Sequence, residues 1–140
     1  MESNIEKIRH SLSHILASAV LELWPKTKLG IGPAVDNGFY YDLQFAKPIA
    51  PEDLAKIEAK MKEIISRDEK FVKEEISKIK AKKLFAGQPY KLELIKELPG
   101  KTVSTYTTGK FLDLCKGPHI KSSLQLRSGQ AKEIGAIFLN

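Results

Sequence analysis

The chain's three histidines and single cysteine fall into two pairs. His10 and His14 stand four residues apart in Arg9-His10-Ser11-Leu12-Ser13-His14. On a helix, residues at that spacing project from one face, near enough to hold one metal ion or one substrate between them. Ala17 and Leu21 continue the stripe, so the pair borders an apolar face. Cys115 and His119 are also four apart, in Cys115-Lys116-Gly117-Pro118-His119. Gly117-Pro118 imposes a turn that can fold the thiol and the imidazole toward a common point. Imidazoles with one thiol suit a tetrahedral zinc. They equally suit a metal-free hydrolytic site in which imidazoles serve as acid and base and a thiol lines the pocket. On the residues alone both readings stay open. Asp113, two residues before Cys115, projects from the same face if that segment is extended, although a surface carboxylate or a strand-end cap would show the same spacing. Lys91 is one lysine among many, and spacing does not single it out.

The elements that must position these groups follow from pattern and punctuation. Ile5, Ile8, Leu12, Ile15, Leu16, Ala19 and Leu23 recur at helical spacing, which predicts an amphipathic helix over Ile5–Trp24, with Asn4 placed to cap it and Pro25 to stop it. Two β-prone runs, Leu29–Val35 and Phe39–Leu43, flank Asp36-Asn37-Gly38 and predict a hairpin. Gly30 and Gly32 are odd inside a strand; they imply a bulge, tight packing or close approach of a ligand to the backbone. Tyr40 and Tyr41 alternate, so one faces the core, and Trp24 reads as a core anchor. A second helix is predicted from Pro51 to about Arg67, and a strand over Phe71–Ile76. Ser77 then caps a short helix ending near Gly87, and Pro89–Leu98 forms another helix. Thr102–Thr108 and Lys110–Leu114 are β-rich around Gly109, and Ile134–Leu139 reads as a last strand. Mixed helices and hairpins predict an α+β fold with a mainly antiparallel sheet.

Composition bounds the function classes. At 140 residues, 42% hydrophobic and 29% charged, the chain is expected to be a single domain, residues 1–140, able to bury one core. No apolar run is long enough to span a bilayer, and the acid-bearing first residues lack a secretory h-region. One cysteine cannot make an internal disulfide, so a cytoplasmic protein is expected. The net charge of +6 suits an anionic partner such as RNA, but also plain solubility; acids interleave the lysines between Lys56 and Lys83, the pattern of a solvated helix face.

Arg9-His10-Ser11-Leu12-Ser13-His14, Leu23-Trp24-Pro25, Ile31-Gly32-Pro33, Asp36-Asn37-Gly38-Phe39-Tyr40-Tyr41-Asp42 and Asp113-Leu114-Cys115-Lys116-Gly117-Pro118-His119 occur in one order along the chain. This ordered set resembles the amino-terminal editing domain of bacterial-type threonyl-tRNA synthetases, over nearly the whole chain from about Ile8 onward. The resemblance implies an α+β fold of the synthetase second-additional-domain type, a long helix packed against an antiparallel sheet, with the two His/Cys motifs meeting in a cleft. It implies hydrolysis of serine from mischarged tRNA(Thr). It puts His10, Lys91, His14, Cys115 and His119 in the catalytic cleft and Asp113, Tyr41 and Gly32 in substrate binding. Lys91, in Pro89-Tyr90-Lys91-Leu92, matches the family's editing lysine.

Serine lacks only one methyl of threonine, a difference worth about 1–3 kcal/mol in binding, so a threonine site accepts some serine and a second, smaller pocket must remove it. Ester hydrolysis needs an activated water, a donor for the oxyanion and a proton for the departing ribose hydroxyl. His10 is expected to position or deprotonate the water, Lys91 to donate to the ester oxygens, and Asp113 to hold the α-ammonium. Cys115, His14 and His119 shape the pocket. The expected site holds no metal; the alternative is zinc on His10, His14, Cys115 and His119, as in related alanyl-type trans-editing hydrolases. A non-catalytic tRNA- or metal-binding module is the other rival. Nothing resembles an aminoacylation core, so ATP and any zinc of that core belong to missing parts. The expected partners are the acceptor end of tRNA(Thr) carrying serine and the remaining domains of a longer synthetase, with no membrane.

Overall fold

A computed structural model describes residues 4–126 apart from positions 33, 36, 37 and 118. Helix α1, Asn4–Leu23, is the spine of the molecule. Its apolar stripe buries Ile8, Leu12, Ile15, Leu16, Ala19 and Val20. Pro25 ends it as predicted; the Thr27 hydroxyl and N–H both bond to the Trp24 carbonyl, at 2.8 and 3.1 Å, and close the last turn. Trp24 is half-buried, edge-on to Phe45. Helix α2, Pro51–Ser66, lies against α1 through Ile57, Met61, Ile64 and Ile65. Ala50 has no side chain to cap this helix, and the Asp53 carboxylate instead reaches back to the Ala50 N–H at 2.8 Å.

The predicted hairpin forms in two short ladders. Strands β1 (Lys28–Leu29) and β4 (Leu43–Gln44) pair outside, and β2 (Ala34–Val35) and β3 (Gly38–Phe39) pair inside. Between the pairs Leu29↔Leu43 and Ala34↔Phe39 the first arm is four residues long and the second three. The first arm therefore carries one extra residue, and a bulge absorbs it. The Asp42 carbonyl accepts from the Gly30 N–H while the Asp42 N–H donates to the Ile31 carbonyl, both at 2.8 Å. Gly30 thus marks a bulge. Gly32 marks tight packing, since a Cβ there would lie 2.1 Å from a ring carbon of Tyr41. Tyr41 is buried and Tyr40 exposed.

A three-stranded antiparallel sheet of order β5-β6-β7 completes the fold: Phe71–Ser77, Thr102–Thr108 and Phe111–Leu114. Between β5 and β6 the chain inserts α3 (Lys78–Leu84), capped by the Ser77 hydroxyl on the Lys80 N–H, and α4 (Pro89–Glu97). These two helices cover a small second core of Ile76, Ala81, Phe85, Ile95 and Val103. A 3-10 turn, Ser123–Leu126, follows. The architecture is α+β. No described helix is long and apolar enough to cross a membrane. The predicted strand over Ile134–Leu139 lies outside the described residues.

Candidate active site

Four elements converge on one small cavity of about 210 Å³. Helix α1 supplies His10, Ser13 and His14; the hairpin supplies Gly32; α4 supplies Lys91; β7 and the turn after it supply Asp113, Cys115 and His119. Every residue expected at the site lines this cavity except Tyr41, which packs on Gly32 and bonds to Asp113 beneath it.

On one side of the cavity the Cys115 sulfur lies between two imidazoles, 3.2 Å from His10 Nε2 and 3.1 Å from His119 Nε2, and accepts the Gly117 N–H at 3.3 Å. Gly117 has φ +74°, and a Cβ there would meet the Tyr106 hydroxyl at 2.4 Å, so this tight turn needs glycine. The donor atoms of His10, Cys115 and His119 all lie within 4.8 Å of one another, a two-nitrogen, one-sulfur set that fits zinc. His14 stands outside that trio. It is 2% exposed and packs against Phe71 and Phe111, with ring centroids 5.2 and 4.6 Å away.

Both ring nitrogens of His14 lack a hydrogen-bond partner among the described residues. Burial, the largest influence, pushes its pKa down to about 4, with Asp113 opposing and the nearby His10 and Lys91 adding to the fall. Burial lowers His119 further, to about 2, reinforced by His14 and His10. Both rings are therefore neutral at pH 7.

On the other side sits a buried ion pair. Lys91 Nζ is 2.6 Å from Asp113 Oδ1, with side-chain exposures of 2% and 7%. The Tyr41 hydroxyl donates to Asp113 Oδ2 at 2.6 Å, and the Leu114 N–H donates to Oδ1 at 2.8 Å. Burial first, then the Asp113 charge, pushes the Tyr41 phenol well above its ordinary range, so it stays protonated and remains a donor. Lys91 also lies over the Tyr41 ring, 5.2 Å from its centroid. Pro89 opens α4, and on this helix Lys91 is turned inward while Tyr90 is exposed.

No family model matches the chain. Curated relatives do. A threonine–tRNA ligase of Dehalococcoides mccartyi is 46% identical over 136 residues, 97% of this chain and 23% of the relative. Threonine–tRNA ligases of Rubrobacter xylanophilus and Sinorhizobium fredii are 47% and 50% identical over 131 and 125 residues, covering 94% and 87% of the chain. Over that stretch, the chain belongs to the threonine–tRNA ligase family. It spans about a fifth of the length of these relatives.

Within this ligase-related stretch, sequence reasoning left out three polar residues, one lining the cavity and two packed on its His119 wall. The Ser13 hydroxyl lies 2.5 Å from the Gly32 carbonyl and 2.8 Å from the His10 carbonyl, tying the hairpin to the helix. The Ser11 hydroxyl contacts His119 Nδ1 at 3.0 Å, and Tyr106 packs edge-on to the same ring. The serines are buried polar positions on a helix whose other buried side chains are mostly apolar, but that burial comes from the packing of α1 and not from their spacing. Tyr106 carried no local signal, because its role depends on pairing with β7, where it sits opposite Asp113.

Proposed function

We propose that this chain hydrolyses the ester of mischarged Ser-tRNA(Thr), acting as the editing domain of a threonine–tRNA ligase. The observation that carries the reading is one cavity of about 210 Å³ that joins imidazoles and a thiol to a buried lysine–carboxylate pair. A small amino acid with an α-ammonium and an ester carbonyl needs those groups and little more room. Similarity to ligases that must discriminate threonine from serine supplies the biological need.

In this reading Asp113 receives the α-ammonium. Among the described residues its Oδ2 carries only the Tyr41 bond and so has a lone pair left for a further donor. Lys91, held by Asp113, is placed to donate to the ester oxygen as negative charge develops. His10 is the base for the attacking water. His14, neutral and with unpartnered nitrogens, receives the seryl hydroxyl, and the departing ribose oxygen takes the proton that the water gave up. Cys115 and His119 form the wall. In this reading threonine's extra methyl finds no room in so small a cavity, whose Gly32 wall is backed directly by the Tyr41 ring.

The test is deacylation of Ser-tRNA(Thr), Thr-tRNA(Thr) and Ser-tRNA(Ala) by the chain and by its His10→Ala and Lys91→Ala variants. Selective loss of serine from tRNA(Thr), reduced on the order of 10²-fold or more in both variants, is the expected result. Wild-type rates in both variants would remove these roles, and preference for tRNA(Ala) would favour an alanyl-type enzyme. Binding of tRNA without hydrolysis would leave a non-catalytic module.

The convergence of His10, Cys115 and His119 favours a second reading, a zinc site with an open fourth position. Bound there, zinc would supply Lewis-acid polarisation of the ester carbonyl. Elemental analysis before and after chelation, alongside the deacylation assay, separates the two readings.

A further inference from the structure

We infer that Ser11 and Tyr106 are positioning residues that hold His119 in one orientation and one tautomer, with its proton on Nε2 facing the Cys115 sulfur. Ser11 is wholly buried on α1, and its hydroxyl touches two groups. It accepts the Ile120 N–H at 3.1 Å, and it lies 3.0 Å from His119 Nδ1. A hydroxyl has one proton to give. Among the described residues His119 Nδ1 is the only acceptor in reach of the Ser11 proton, so Ser11 donates and Nδ1 accepts. A neutral imidazole carries a single proton, which must then sit on Nε2, 3.1 Å from the Cys115 sulfur.

Tyr106 fixes the same ring from the sheet. Its ring stands edge-on to His119 at 4.3 Å and 81°. Its oxygen takes a hydrogen bond from the His119 main chain. It also fills the space over Gly117 that any larger residue would need. Helix and sheet thus both hold this one side chain.

The result is a hydrogen-bond chain of fixed polarity. It runs from the Ile120 N–H to Ser11, from Ser11 to His119, and from His119 Nε2–H to the Cys115 sulfur, which also receives the Gly117 N–H and lies 3.2 Å from His10. The chain orders the wall facing His10. That catalytic consequence rests on the hydrolytic reading above; the tautomer does not. The opposite tautomer is the one a metal on Nε2 would require, with Nδ1–H donated to Ser11.

The experiment is long-range ¹H–¹⁵N correlation NMR on the chelator-treated chain, labelled at histidine, at neutral pH. The expected spectrum shows His119 with Nε2 protonated and Nδ1 bare. Protonation on Nδ1 in the unsubstituted chain overturns the inference without any variant. Ser11→Ala is expected to move His119 toward the other tautomer and to lower kcat for Ser-tRNA(Thr) by up to about tenfold with KM nearly unchanged, and Ser11→Thr to restore both. A Ser11→Ala spectrum with the tautomer unmoved, or a moved tautomer with kcat unmoved, overturns the positioning role. Tyr106→Phe, which keeps the ring but loses the hydroxyl, is expected to broaden the His119 resonances; sharp, unshifted resonances count against it. A chain that deacylates nothing but shows Nε2–H on His119 supports the tautomer and overturns only the hydrolytic reading.

Discussion

The molecule contains two ionic regions built from the same residue types, and they differ in almost every consequence. Along α2 and its end, Lys56 pairs with Asp53, Lys60 with Glu63, Lys62 with Glu58, and Arg67 with Glu22 and Glu63, at 2.8–3.4 Å and largely in solvent. At the cavity a single pair, Lys91 and Asp113, is almost completely withdrawn from water at 2.6 Å. Exposed pairs stabilise little, because solvent and salt screen them and ordering two long side chains costs entropy. A buried pair is also poor evidence of stability, since desolvating two charges offsets their attraction. The proposed hydrolysis gives such a pair, held in the wall of a cavity, a chemical use that stability does not. The proposed function therefore draws on the region where one ion pair is kept at a cost, not on the region where charges are many.

Removing one partner of the buried pair tests this most severely. Lys91→Met leaves Asp113 buried without its cation and is expected to destabilise the chain by about 3–5 kcal/mol, read from denaturant unfolding, and to abolish deacylation. The double variant Lys91→Met with Asp113→Leu is expected to recover most of that stability while staying inactive. If the double variant regains activity, the pair is structural and the comparison fails.

The next effect is set by pH. His14 has an unfolded pKa of 6.5 and a folded value of about 4, because burial disfavours its charged form. The folded chain therefore binds fewer protons than the unfolded chain between those values, and stability falls as pH drops from 6.5 toward 4. His119, lowered to about 2, acts in the same direction. His14 alone accounts for roughly 3 kcal/mol. In His14→Gln that part of the acid sensitivity should vanish; an unchanged pH profile of unfolding would show that the ring is not held neutral by burial.

These residues also show what was legible in the sequence. The helices and the β5-β6-β7 strands fall within a residue or two of prediction, except that α3 ends at Leu84 and not near Gly87, because Pro25, Pro51, Ser77 and Pro89 punctuate strong periodicity and each acts over a few bonds. The His10–His14 and Cys115–His119 spacings pointed to a site for the same local reason. Lys91 did not stand out, because its distinction is a contact with Asp113 across the fold rather than a spacing; only family resemblance picked it. Ser11 bonding to His119 and Tyr106 packing on Gly117 are likewise products of topology, invisible to any window along the chain. The glycines were legible as a question, and the structure answers it differently at each: a register offset at Gly30 and a ring in contact at Gly32.

Gly32 gives the third test. A Cβ placed there would overlap the Tyr41 ring at 2.1 Å, so Gly32→Ala must displace the ring that carries the hydroxyl on Asp113. Overpacking of this kind costs about 1–3 kcal/mol, and the loss of activity should exceed the loss of stability because the Asp113 carboxylate is released. Tyr41→Phe separates the two effects: it keeps the packing, removes the hydroxyl, and should lower deacylation with little change in Tm.

The smallest effect belongs to the exposed region and completes the comparison. Arg67 binds Glu22 through two nitrogens at 2.8 and 3.0 Å and reaches Glu63 at 3.1 Å, the best geometry of any exposed pair described. If ion-pair geometry alone governed importance, Arg67→Ala would rival Lys91→Met. Solvent exposure of 37% on the Arg67 side chain argues otherwise, because water replaces the lost hydrogen bonds and counter-ions already screen the charges. The expected result is a Tm lower by a few degrees at low salt, a smaller change at high salt, and unaltered deacylation. A loss of activity in Arg67→Ala would move function toward the far end of α2 and undo the division between the two regions.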